Sequence, residues 1–152
     1  MPKATLVVLP IAAPMQIGVY GQSGMLVERI ENTQKTSEVL LPMLMELLEK
    51  YDVDKIIYTR GPGSYMAIKL TYVILKTIEI VRGILCQGCS AFAFNGGKPI
   101  KAVGNLYFIK EKETIITKKF EQPVNAEFVL PQSIHDLEID EESTPAYNLP
   151  AV

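Results

Sequence analysis

The sequence predicts an α/β fold, and three observations predict it. β-Branched apolar runs come early and are stopped by Pro or Gly. Two later segments carry sustained helical spacing, and turn residues separate strand from helix in an alternating order.

Taken in order, Thr5 to Leu9 (TLVVL) ends at Pro10 and reads as a strand. Gln16 to Tyr20 is a second strand, and Gly21-Gln22-Ser23-Gly24 turns it tightly into a third, Met25 to Ile30. Thr36 or Ser37 can cap a helix reaching about Tyr51, with Glu38 in its first turn. Lys55 to Thr59 is the next strand, Met66 to Arg82 the second helix, and Ile84 to Cys86 a further strand. After the Asn95-Gly96-Gly97 turn, Ile100 to Ile109 and Thr114 to Phe120 form a hairpin around Lys110 to Glu113. Beyond Glu121, Pro123, Pro131, Pro145 and Pro150 leave room for a strand or two laid on by loops.

This order, βββαβα and then a strand, is that of the ribonuclease-H-like or actin-like (ASKHA) lobe. Right-handed crossovers would bring both helices onto a mixed sheet. The expected organisation is an actin-like lobe over residues 1–95 and a truncated second lobe with its tail over 96–152.

Composition bounds the function. With 48% hydrophobic and 21% charged residues, the 152-residue chain is an ordinary globular protein. A net charge of -2 argues against gripping nucleic acid unaided. The charge is uneven: Lys98, Lys101, Lys110, Lys112, Lys118 and Lys119 crowd one stretch, and Asp136, Glu138, Asp140, Glu141 and Glu142 another. A solvated hairpin followed by a solvated tail accounts for both. Lys3 and the apolar residues after it have the outline of an export signal, but Pro10 interrupts them and the basic residue is single. Lys69, Lys76 and Glu79 break the longest apolar run, so no membrane span is expected and the location expected is cytoplasmic.

Both helices carry more apolar residues than one core-facing stripe needs. Between Val39 and Leu48 only Pro42 and Glu46 interrupt the first. Ile68, Leu70, Val73, Ile74, Leu75, Ile78, Ile80 and Val81 overfill the second, whose polar edge is Lys69, Tyr72, Lys76 and Glu79. The excess predicts a partner or oligomer interface, with Val39, Leu40, Met43, Leu44, Leu47, Leu70, Tyr72, Val73, Ile74 and Lys76 as its residues.

No catalytic residue or metal ligand set stands out. Gly61-Pro62-Gly63-Ser64 lacks the following Gly-Lys-Ser/Thr of a P-loop. It leaves a helix start at which Gly61, Gly63 and Ser64 can hold an anion or nucleotide, or simply begin the helix. The first strand is followed by Pro10-Ile11-Ala12-Ala13-Pro14, with no acidic residue to organise magnesium, and His135 is the single histidine. Cys86 and Cys89 form a C-x-x-C that fits two small residues at the end of a buried strand, or a redox or zinc module.

Two segments resemble a known family. "SEVLLPMLMELL" (37–48) and "RGPGSYMAIKLTYVILKTI" (60–78) are similar to the helix and the glycine-proline-glycine-serine-aromatic signature of the TsaB (YeaZ) family. Ser90-Ala91 resembles the start of its short helix, and Thr144-Pro145-Ala146-Tyr147 its closing segment. Ala67 stands where the family commonly has glycine, and its Asp-Thr-Ser after the first strand is missing. The resemblance implies a non-catalytic scaffold that pairs with TsaD through the two helices and recruits TsaE. That complex threonylcarbamoylates adenosine 37 of ANN-decoding tRNAs. It also implies a homodimer through the same helices, tRNA met only within the complex, and no cofactor of its own, ATP being held at the complex interface by partner subunits. The alternative of another class is a small nucleotide- or anion-binding enzyme using the Gly61–Ser64 helix start with Arg60 and Lys69.

Overall fold

A computed structural model of the chain describes residues 1–12, 14–112, 114–124 and 127–146. Its principal sheet contains β1 (Lys3–Leu9), β2 (Met15–Tyr20), β3 (Leu26–Asn32), β4 (Asp52–Gly61) and β5 (Leu85–Ser90), in the order β3-β2-β1-β4-β5. β1 pairs antiparallel with β2, which pairs antiparallel with β3. On its other edge β1 pairs parallel with β4, and β4 parallel with β5. The sheet is therefore mixed, and β1 lies at its centre.

Alternation explains why β1 takes that place. Leu6 and Val8 enter one hydrophobic cluster and Val7 and Leu9 another, so the strand is buried on both faces. The first face is covered by α1 (Thr36–Lys50) and α2 (Tyr65–Arg82), which supply Val39, Leu40, Leu44, Leu47, Leu48, Ile68, Leu75 and Ile78. α2 starts on Ser64, whose hydroxyl accepts from Ala67 N, and stops on left-handed Gly83. The cap expected at the start of α1 is absent: Thr36 and Ser37 are already helical, and Lys35 at the N-cap position makes no side-chain cap bond. Pro42 sits on the solvent side of α1 without ending it. At the far end of α1, Glu28 of β3 accepts from Tyr51 Oη at 2.7 Å and Lys50 Nζ at 3.2 Å. These bonds, Tyr51's first, hold the Glu28 carboxyl below its ordinary range.

A second sheet contains β6 (Ile100–Val103), β7 (Leu106–Glu111) and β8 (Thr114–Lys119) in sequence order, all antiparallel. The single strand expected over Ile100 to Ile109 is thus two strands, because Gly104 takes a φ of 56° and with Asn105 turns the chain back. β5 runs on to Ser90 rather than stopping at Cys86.

Among the described residues no named strand follows Lys119, which corrects the expectation of one or two more. Instead the segment over residues 128–139 lies across the second face of the principal sheet, although from sequence it groups with the second lobe. Leu130 is buried there, with Phe128, Ile134, Leu137 and Ile139 packed beside it. Its backbone is fixed by sheet side chains: Gln16 Nε2 donates to Phe128 O at 3.0 Å and Tyr20 Oη to Pro131 O at 2.7 Å. Two isolated bridges, Met25 with Ser133 and Cys89 with Ile139, are all the β-pairing it makes among the described residues.

Candidate interaction surface

Helical spacing divides each helix sharply. On α2, Ile68, Thr71, Leu75 and Ile78 face the sheet. Met66, Leu70, Val73, Thr77, Ile80 and Val81 recur at three- and four-residue steps on the opposite side. Met66 is 69% exposed, Val73 52%, Ile80 75% and Val81 71%. Such residues scattered singly mean little; aligned along one helix they form an apolar stripe in water. Lys69 and Lys76 flank it, Lys69 over the Tyr65 ring at 5.8 Å and Lys76 near Glu79 at 3.5 Å.

On α1 the exposed apolar residues are Leu41 and Met45, bordered by Glu38, Glu46 and Glu49. Here the sequence-based assignment needs correction. Val39, Leu40, Leu44 and Leu47 are each at most 8% exposed and are used up by the chain's own core, so no partner can reach them. Met43, Tyr72 and Ile74 are partly buried against that core, and Tyr72 lies 6.4 Å from the Tyr58 ring. Of the ten expected residues, Val73 and Lys76 are exposed and Leu70 is half-buried on the stripe. Met66, Ile80, Val81, Leu41 and Met45 were not among them. For Met66, Ile80 and Val81 the signal was present in the sequence: they fall opposite Ile68, Leu75 and Ile78, the residues that a sheet would claim.

The glycine loop leads from β4 into α2 and is filled from within. A side chain at Gly63 would meet Ile11 Cγ2 at 2.7 Å, and one at Gly61 would meet Ala146 O at 2.7 Å. Both glycines have positive φ, 139° at Gly61 and 158° at Gly63, which L side chains avoid. Ser64 spends its hydroxyl on the cap. Arg60, which a phosphate would need, donates instead to Asp140, Glu142 and the Thr144 carbonyl. Gly61, Gly63, Ser64, Arg60 and Lys69 are therefore near in sequence without converging on an anion.

Cys86 and Cys89 are three residues apart on β5 and so point to opposite faces. Cys86 joins the cluster under the helices, donating to Leu75 O at 3.2 Å, and Cys89 the cluster under Leu130, donating to Tyr58 O at 3.5 Å. Burial pushes each thiol up to about 12. One metal ion or one disulfide cannot join two groups on opposite sides of a sheet. Among the described residues no group of three His, Cys, Asp or Glu side chains could hold a metal ion, and no helix is long and apolar enough to cross a membrane.

No protein-family model matches the sequence, and no curated protein is significantly similar to it. Solved structures are similar. YeaZ from Pseudomonas aeruginosa superposes with a TM-score of 0.58 at 13% identity, covering 84% of this chain and 67% of that one. A second is described as an uncharacterized protein with similarity to peptidase YeaZ from Pseudomonas aeruginosa. It gives a TM-score of 0.58 at 14% identity, covering 98% of this chain and 69% of that one. The chain has a YeaZ-like α/β fold.

Proposed function

We propose that the chain is a divergent TsaB-type subunit: a non-catalytic scaffold with an actin-like first lobe that docks on TsaD and helps recruit TsaE for threonylcarbamoylation of adenosine 37 in ANN-decoding tRNAs. The observation that carries this reading is the apolar stripe of α2 on a YeaZ-like fold. Burying Met66, Val73, Ile80 and Val81 on a partner would contribute roughly 1.5–3 kcal/mol for each side chain fully covered. The chemistry then belongs to the partner, and tRNA meets this chain within the complex.

The charges beside the two exposed faces suit self-association as well. Lysines flank the α2 stripe and carboxylates flank Leu41 and Met45, so two copies related by a two-fold axis would set each α2 against the other's α1. Such a homodimer and the TsaD complex would compete for one surface.

The test is size-exclusion chromatography with light scattering on the chain alone and mixed with TsaD of the same organism. A one-to-one complex is expected, weakened at least about a hundredfold by Val73→Asp combined with Ile80→Asp, since two anchors are lost. A chain that stays monomeric and ignores TsaD would refute the proposal.

A further inference from the structure

The last described residues contrast with those just before them. Phe128 to Ile139 are held by apolar side chains, whereas residues 140–146 have none buried. Residues 140–146 are anchored by polar groups. Asp140 N donates to Gly88 O at 2.9 Å, and Ala146 N to Arg60 O at 2.7 Å. Tyr58 Oη donates to Ser143 O, and Arg60 Nε to Thr144 O, each at 2.6 Å. The Arg60 guanidinium also pairs with Asp140 at 3.1 Å and Glu142 at 3.2 Å, and its side chain is only 16% exposed. The sheet is cut away to admit this segment. A side chain at Gly88 would stand 2.6 Å from Arg60 Cδ and 3.1 Å from Glu142 O, and one at Gly61 would strike Ala146 O.

We propose that this furrow, running from the edge of β5 to the end of β4 with Arg60 at its centre, is a receptor for an acidic extended peptide of a partner protein. Residues 140–146 are its exchangeable occupant. A segment fixed by ion pairs and by hydrogen bonds that are exposed or part-buried, with no buried apolar side chain among residues 140–146, opens locally without unfolding the core. Opening uncovers the Arg60 guanidinium and the carbonyls of Gly88 and Arg60 and leaves them to water. The groups that match them in the closed chain are two carboxylates and two backbone N–H groups, the set that an extended acidic peptide would bring in place of water. A phosphodiester chain brings the charge without the regularly spaced backbone N–H groups. The inference stands apart from the helix stripe, because Arg60 and Gly88 do not contribute to it.

The experiment uses a fluorescent peptide with the sequence of residues 138–146 and the full chain as wild type, as Asp140→Asn with Glu142→Gln, and as Arg60→Gln. The double variant loosens the chain's own occupant, so it is expected to bind the peptide about tenfold tighter than wild type, whose segment competes at high effective concentration. Arg60→Gln is expected to lose binding, and raising salt to about 0.5 M to weaken it. In hydrogen exchange on the wild type, the Asp140 and Ala146 amides should exchange well before those of β1 and β4. The proposal is overturned if the double variant binds the peptide no better than Arg60→Gln does. It is equally overturned if a peptide with both acidic side chains amidated binds as well, or if Asp140 and Ala146 exchange together with β1 and β4.

Discussion

Single residues decide what chemistry this chain does not do. Cys86 and Cys89 invite a motif reading, and their placement on a strand removes it, because an odd spacing splits them between two faces. Sequence showed the spacing but not that β5 runs past Cys86, so the parity argument needed the structure. The thiols also set a pH dependence. Each titrates near 12, against about 9 for an exposed thiol. The folded state thus holds protons that the unfolded state releases. The associated stability is fully present below about pH 9 and is lost as pH climbs toward 12; Tyr20, also pushed up to about 12 by burial, acts in the same direction. Urea midpoints should therefore be flat through neutrality and fall above about pH 9, less steeply in Cys86→Ala with Cys89→Ala. At neutral pH, alkylation of either thiol should be no faster than unfolding.

At the scale of the element, the helices were legible as helices and misread as surfaces. Their apolar excess was visible, and α2 lies within one residue of its expected bounds. Which side of α1 meets the sheet was not, since apolar residues surround it and a wheel without a sheet has no preferred direction. The distinction has a measurable consequence. Leu44 is fully buried, so Leu44→Ala should cost about 2–5 kcal/mol in denaturant unfolding, and Leu44→Asp more. Val73→Asp, on the water side of α2, should change stability by only about 0.5 kcal/mol while impairing association. A Val73→Asp chain as unstable as Leu44→Ala would show that the stripe is covered from within. The second sheet was less legible, because Gly104-Asn105 falls inside the strand expected over Ile100 to Ile109 and is a turn.

Around the principal sheet the molecule is layered: helices, sheet, and a returning segment that stands in for a third layer, with the second sheet packing on its own small cluster. That return could not be read from the sequence, because its apolar residues, Phe128, Leu130, Ile134, Leu137 and Ile139, mix two-residue steps with three- and four-residue ones and sustain neither a strand nor a helix period. It implies graded stability. Amide protection should be greatest in β2, β1 and β4, which are paired on both sides, and least in β8, whose residues are mostly exposed on a free edge. Exchange that is uniform across both sheets would contradict this. The position of β1 has a further consequence during synthesis. A ribosome delivers β1, β2 and β3 first, and their local antiparallel pairings can close at once. The remaining edge of β1, with Leu6, Val7, Val8 and Leu9 unshielded, then waits until residues 52–61 have emerged to supply its parallel neighbour. For that interval the nascent chain presents an open apolar strand. Its yield in a cell should therefore depend on chaperone supply more than its final stability suggests.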